Sequence, residues 1–242
     1  MEDRHYTGMV RRLPRPVWRM LRDAQCGSVT LAANQVMTRA EQPLTRSALL
    51  LDGILARDVR NDAGDRQRVA VQVPGDFVDL HSLPLGMLDH DVVAMSRARV
   101  ALFEHEDIKA IMEKDADYAR ALWGLTLVDA SISRHWTFRL GRMRALAGMA
   151  NFLCEMHLRL TLCGRQRDGR FELPWTQAEL GQICGLSSVH VSRVLRDLRE
   201  AGIATVRNGE VTMHDLAKAT RIGIFDPRFL FLPWGDDPED PA

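Results

Sequence analysis

The stretch TQAELGQICGLSSVHVSRVLRDLREAG, Thr176 to Gly202, decides how the rest of the chain is read. Thr176 stands three residues before Glu179. That is the spacing of a capping box, in which a hydroxyl and a carboxylate each satisfy an orphan amide at a helix start. A short helix is expected over Gln177–Cys184, closed by Gly185, because glycine takes up the left-handed C-cap conformation without a side-chain clash. Ser187 then caps a second helix that runs to Gly202. Within it Val191, Val194, Leu195 and Leu198 recur at i, i+3, i+4 and i+7 and form the packed face, so Val189, Ser192, Arg193 and Arg196 point away from it. Downstream, IATVRNGEVTMHD reads as two short strands joined at Asn208-Gly209, the dipeptide of a tight hairpin. Helix, tight turn, helix, hairpin is the order of a winged helix-turn-helix.

The chemistry of the outward face follows from that order. The N-terminal residues of the second helix of such a motif reach base edges in the major groove of double-stranded DNA. The guanidinium of Arg193 matches guanine O6 and N7 in a bidentate contact. The plainer alternative is a solvated arginine on an amphipathic helix. Ser188, Val189, His190 and Ser192 lie beside Arg193, and Arg196 follows one turn on. Thr176, Ser187 and the hairpin around Arg207 and Asn208 are candidates for phosphate contacts, which fix register without specifying sequence.

Charge is distributed in the same sense. The 242 residues carry 32 Lys or Arg and 32 Asp or Glu, so the net charge is zero. From Arg134 to Arg221, however, 14 basic residues face 8 acidic ones, whereas residues 222–242 hold one Arg against five acids. A basic segment between a mildly acidic front and an acidic tail fits a polyanion partner. No apolar run approaches the ~20 residues of a membrane-spanning helix. The N-terminus, MEDRHYTGMVRRLPRPVW, lacks the apolar centre and cleavage site of a signal peptide. The four cysteines are scattered at Cys26, Cys154, Cys163 and Cys184, without metal-binding spacing. A reduced, cytoplasmic protein is expected, with buried, inert thiols as the default for the last three.

Ahead of the opening stretch the pattern is mixed, and the expected class is α+β. Residues 1–25 read as a helical lead-in interrupted by Pro14 and Pro16. From about Val29 to Phe103 short apolar runs alternate with turn signals, without intervening helices, which suggests a sandwich or barrel. ALLLDGILARDV and NDAGDRQRVAVQV form the clearest hairpin, turning at Asn61, Asp62 and Gly64. VVAMSRARVALF alternates like a final strand pair. From Glu106 to about Phe138 a long helix is expected, with a seven-residue repeat. Ile111, Tyr118, Leu125 and Ile132 share one phase; Leu122 and Trp136 share the companion phase, which Asp115 and Asp129 interrupt. Such a seam suits parallel dimerisation, or else it covers the β domain. The expected divisions are a β domain over 1–105, a dimerisation helix over 106–140, a winged helix-turn-helix over 141–220 and an acidic tail over 221–242.

A β-roll with PGDF (residues 74–77), then a long helix, then the opening stretch with its hairpin resembles the catabolite-activator and fumarate-nitrate-reduction (Crp/Fnr) regulators over about residues 28–215. The resemblance implies a cyclic-nucleotide-binding-like β-roll, a homodimer on an inverted repeat, and a guanine read by Arg193. It also implies phosphate contacts by Thr176 and Ser187. Val189 stands where many relatives carry a glutamate that accepts from cytosine; its methyls suit a thymine methyl instead. The relatives that bind cyclic AMP place a glutamate and an Arg-Ser pair after the GDF turn, but here VDLHSLPLGMLDHDVVA, Val78 to Ala94, holds no Arg or Lys and carries Asp79, Asp89 and Asp91. Cyclic AMP is therefore not expected. Nor is an iron–sulfur cluster, because Cys26 is the only cysteine near the N-terminus. His81 and His90 in the effector-pocket loop leave haem open as an axial-ligand reading beside the plainer one of two polar loop residues. RNA polymerase stays open as a further partner. The rival reading is a small-molecule or haem-sensing module whose helix-turn-helix serves protein interaction. No nucleophile–base pair, metal motif or phosphate loop points to an enzyme.

Overall fold

The run Ala48-Leu49-Leu50-Leu51 sits at the centre of a strand buried on both faces, and a strand sends alternate side chains to opposite sides. Ala48 and Leu50 point into a small core inside the β domain, with Leu31, Leu55, Val92 and Val100. Leu49 and Leu51 point outward into a larger core that continues beneath the helices to the C-terminal domain. The structure, a computed structural model, describes residues 7–60, 64 and 66–232. Asn61 and Asp62 of the expected hairpin turn, and the acids from Asp236 to Asp240, lie outside the described residues.

The chain enters through a 3-10 turn (Gly8–Arg12) and helix α1 (Arg15–Asp23), in which Val17, Trp18 and Leu21 are buried. The lead-in is interrupted at Leu13-Pro14, between the 3-10 turn and α1, whereas Pro16 sits in the first turn of α1, where a missing amide hydrogen leaves no intrahelical bond unmade. Seven strands follow, β1 (Gln25–Leu31), β2 (Val36–Thr38), β3 (Arg46–Asp52), β4 (Leu55–Arg60), β5 (Arg66–Gln72), β6 (Asp91–Ala94) and β7 (Ala98–Glu104), with a short helix α2 (Ser82–Leu85) between β5 and β6. They make two antiparallel sheets, ordered β1-β7-β3 and β2-β6-β4-β5. β4 and β5 pair as the expected hairpin. β6 and β7 do not pair with each other: each takes the middle of a different sheet.

The expected single helix is two, α3 (His105–Met112) and α4 (Ala116–Arg142). Asp115 separates them: its carboxylate accepts from the Asp117 amide (2.8 Å) and caps α4, so it is a helix start and not a flaw in a seam. The expected dimer residues also lie elsewhere than on an open face. Ile111 is buried in α3, and Leu122, Leu125, Ile132 and Trp136 are buried by the chain's own β domain and C-terminal helices, with Tyr118 half-buried beside them. The opposite side of α4 is the exposed one. Trp123 (59% exposed) and Leu127 (49%) begin a row that continues through Ala130, Arg134, Thr137 and Gly141 at alternating spacings of four and three.

Helix α5 (Ala145–Leu162) and a four-stranded sheet hold the C-terminal domain together. That sheet comprises β8 (Gln166–Arg167), β9 (Arg170–Glu172), β10 (Ala204–Arg207) and β11 (Glu210–Met213), ordered β10-β11-β9-β8. Helices α6 (Gln177–Cys184) and α7 (Ser188–Glu200) lie between β9 and β10. After α8 (Leu216–Ile222) the chain returns to α4: Leu230 is fully buried, and the Phe229 ring stacks on His135 at 3.8 Å. Residues 221–232 are thus packed structure, not the start of a tail.

A buried charge network joins the two halves. Glu155 of α5 accepts from Trp136 Nε1 (2.9 Å), Arg139 Nη1 (2.7 Å) and Arg159 Nη1 (3.1 Å). Arg159 Nη2 continues to Asp76 Oδ2 in the PGDF turn (2.6 Å). Burial works against the Glu155 charge, but the two guanidiniums outweigh it and hold its carboxyl below the usual range.

Candidate nucleic-acid interface

The helix-turn-helix is built by local chemistry at each boundary. Glu179 N donates to Thr176 Oγ1 (3.2 Å), and Thr176 N donates to Glu179 Oε2 (2.8 Å), completing the capping box. Gly185 closes α6 at φ +65°. Gly181 is required by packing: a Cβ there would lie 2.3 Å from the Leu186 carbonyl oxygen, so any side chain would force α6 off the turn. The Ser187 hydroxyl accepts from His190 N (3.3 Å) and caps α7. Val191, Val194 and Leu198 bury the inner face of α7, with Leu195 half-buried.

The outer face meets the wing across an open groove. Ser188, Val189, Ser192, Arg193 and Arg196 line it from α7 and Arg207 from β10. Val189 is 72% exposed, at the N-terminal end of the helix. Asn208 (φ +53°) and Gly209 (φ +77°) form the tight turn of the wing, both in the left-handed region a type I′ hairpin requires. His190 is exposed on α7 but lies outside the groove lining. Gln177, Arg199, Thr205 and Val206 also line the groove and were not among the expected residues. Arg199 continues the Arg193–Arg196 spacing, so its place was readable from the helical period; the strand residues were not.

The two capping hydroxyls differ in what they have left to give. Thr176 Oγ1 donates to Glu179 Oε2 (2.9 Å), so its proton is already in use. Ser187 only accepts, which leaves its proton for a phosphate oxygen. Of the first-turn amides of α7, His190 N is taken by the Ser187 cap, and those of Ser188 and Val189 precede the first intrahelical bond. Arg196 sits 4.0 Å from both Asp197 and Glu200, contacts too long and too exposed to hold it away from a phosphate.

An ion pair spans the junction between the β domain and α4. Arg57 of β4 donates to Asp129 Oδ2 of α4 (2.6 Å) and to the Val78 carbonyl (2.6 Å). Asp129, which interrupts the expected seam, is therefore a partner for the β domain. The cavity around this pair, bordered by Asp76, His81, Thr126 and Arg159, measures about 30 Å³, roughly the share of one water. The His81 and His90 rings lie 5.5 Å apart. Burial first, and the nearby Arg57 charge second, push both imidazoles down, His81 to about 4. Neither the volume nor this donor set fits a haem. Asp79 is turned inward, accepting from Ala48 N (2.7 Å), and burial pushes its carboxyl up to about 7. Asp91 accepts from Ala40 N (3.0 Å); of the three loop acids, Asp89 is the one with its side chain in solvent.

The thiols do not converge. Cys26 is exposed, and burial pushes Cys154 and Cys184 up to about 11 and Cys163 to about 12, the inert thiol state. Among the described residues no group of three or more His, Cys, Asp or Glu is placed to hold a metal ion. Among them, too, no helix is long and apolar enough to cross a membrane. A Ser–His contact exists, with Ser47 and Ser82 hydroxyls 3.1 and 3.2 Å from His105 Nε2, but all three residues are buried within the β domain.

A family model described as a Crp-like helix-turn-helix domain matches residues 149–219. The chain is 28% identical over 159 residues to the transcriptional activator protein FnrL of Cereibacter sphaeroides, covering 64% of this chain and 63% of that protein, just under two thirds of its length. It is 21% identical over 183 residues to an anaerobic regulatory protein of Pasteurella multocida, covering 76% of this chain and 67% of that one. FixK2 from Bradyrhizobium japonicum superposes with a TM-score of 0.74 at 22% identity, over 81% of this chain and 96% of that chain.

Proposed function

We propose that the chain, which carries a Crp-like helix-turn-helix domain and is similar to transcriptional activators of the Crp/Fnr type, regulates transcription in the cytoplasm as a homodimer bound to an inverted DNA repeat. The observation that carries this reading is the open groove in which Val189 and Arg193 face outward beside the wing arginine. Arg193 reads a guanine and Val189 a thymine methyl in each half-site. Ser187, the α7 amides, Arg196, Arg199 and Arg207 hold phosphates. No catalytic role belongs to this reading.

The second copy meets the first along the exposed row of α4. Trp123, Leu127, Ala130, Arg134, Thr137 and Gly141 keep the four–three spacing of a coiled-coil seam, and Gly141 lets the two backbones approach at the end nearest the DNA-binding domain. Two recognition helices then reach successive major grooves about 34 Å apart. Replacing Leu127 with arginine is expected to convert the dimer to a monomer in analytical ultracentrifugation. A dimer unchanged by it would place the interface elsewhere.

The β domain, bolted to α4 by Arg57 and Asp129, does not await a nucleotide in this reading. The test uses purified protein without added ligand: selection of preferred DNA from a random pool, then anisotropy across a salt series. A selected inverted repeat, bound far more tightly than scrambled DNA, is the expected result. Binding without sequence preference, falling with salt at a slope of about −0.9 per phosphate neutralised, would sink the reading and leave only a basic surface.

A further inference from the structure

Glu179 is claimed from two sides. Its Oε2 holds the N-cap of α6, and its Oε1 meets Arg68 Nη2 of β5 at 3.3 Å. The Arg68 side chain is 1% exposed and passes back to Asp58 Oδ1 of β4 at 3.3 Å, with Arg66 on the other oxygen at 3.4 Å. Beside it, Gln67 Nε2 donates to the Gln182 carbonyl of α6. The β4–β5 hairpin therefore touches the first helix of the helix-turn-helix with a guanidinium and an amide, 111 and 115 residues from their partners in sequence.

We propose that the Asp58–Arg68 pair docks the helix-turn-helix onto the β domain through Glu179 and that this docked arrangement is the one that reads DNA. The inference rests on the DNA reading above. Three observations carry it. The hairpin takes the side of α6 that carries the Glu179 carboxylate and the Gln182 carbonyl, so Val189, Arg193 and Arg207 stay exposed and docking does not occlude the groove. Glu179 is also the cap of α6, so one carboxylate fixes both where that helix starts and how it is held. The neighbouring strand residue, Arg57, is turned by a register shift between Arg57 and Asp58 toward Asp129 of α4. Adjacent residues of β4 thereby serve both junctions: Arg57 meets Asp129 of α4 directly, and Asp58 backs Arg68 of β5, which meets Glu179.

The contact is also built to be reversible. Neither Asp58 oxygen has a hydrogen-bond partner among the described residues, and Arg68 Nε and Nη1 lack one as well. Burial raises the Asp58 carboxyl and lowers the Arg68 guanidinium, against their mutual attraction. Ions held in this way gain hydration when the domains part, so docking is a state the protein can leave, and a population shift between docked and free forms changes DNA affinity.

The experiment compares full-length wild type, Arg68→Met, and the double variant Asp58→Asn with Arg68→Met, which removes both buried charges and so keeps the hairpin folded. Glu179 is left intact because it caps α6. Amide exchange across residues 177–184 is expected to speed up about tenfold in both variants while β3 stays protected. The Kd for the selected DNA is expected to rise about tenfold with the half-site preference unchanged. A folded double variant with wild-type exchange and affinity overturns the proposal, and so does tighter DNA binding, which would make docking a restraint. A wild type without sequence preference overturns the DNA reading itself; a specific wild type with unaffected variants overturns the docking claim alone.

Discussion

Replacing Arg193 with alanine is expected to weaken binding to the selected site by about 1–3 kcal/mol, or roughly five- to 150-fold, and to relax preference at one base pair per half-site. The warrant is geometric. Arg193 stands one turn into α7, exposed, on the face opposite Val194 and Leu198, and a planar fork of donors distinguishes guanine from the other bases in the major groove. Arg207→Ala is the contrast: a wing arginine on phosphate should lose affinity almost uniformly across sequences and make the salt slope shallower by about one. Val189→Glu completes the series. It replaces a methyl contact with an acceptor for a cytosine amino group, and should move the preferred half-site toward cytosine at one position. Selections that return the same half-site for wild type, Arg193→Ala and Val189→Glu would remove the outer face of α7 from base reading.

What the sequence makes legible here is whatever local chemistry decides. The ends of α6 and α7 are written in Thr176, Glu179, Gly185 and Ser187, each acting within one turn of itself, and the structure places them where the spacing predicts. The wing is written in Asn208-Gly209. Asp168-Gly169 carries the same left-handed pair, φ +50° and +77°, yet the strands it joins have two and three residues and form only because β9 pairs with β11. A turn signal without strand length reads as a loop. The face of α4 was not legible for a different reason. Both sides of that helix carry apolar residues at heptad spacing, and periodicity does not say which side the β domain covers. Arg57 was invisible as a site residue because its partner is 72 positions away. Sequence spacing reports contacts along a helix or strand; it does not report contacts across a domain boundary.

The largest stability loss is expected at Glu155. Changing it to leucine leaves Arg139 buried without a carboxylate and Arg159 with only Asp76. Breaking a buried pair from one side costs about 3–5 kcal/mol, because the remaining charge keeps its desolvation penalty. Urea unfolding measures it directly. The loss should be specific to how the molecule is joined, since Glu155 gathers Trp136 and Arg139 of α4 with Arg159 of α5, and Arg159 carries the connection to the PGDF turn. With it removed, the β domain and the C-terminal domain are expected to unfold in separate steps. The pH dependence carries a sign that checks the cause. A carboxyl held below its usual range contributes stability above its unfolded value of about 4.3 and loses it as the pH falls through the folded value. Wild type should therefore lose stability on acidification below that point more steeply than Glu155→Leu. A loss under about 1 kcal/mol, or parallel acid profiles, would mean that the two arginines find water or other acceptors on their own, and that the network orders the junction without holding it together.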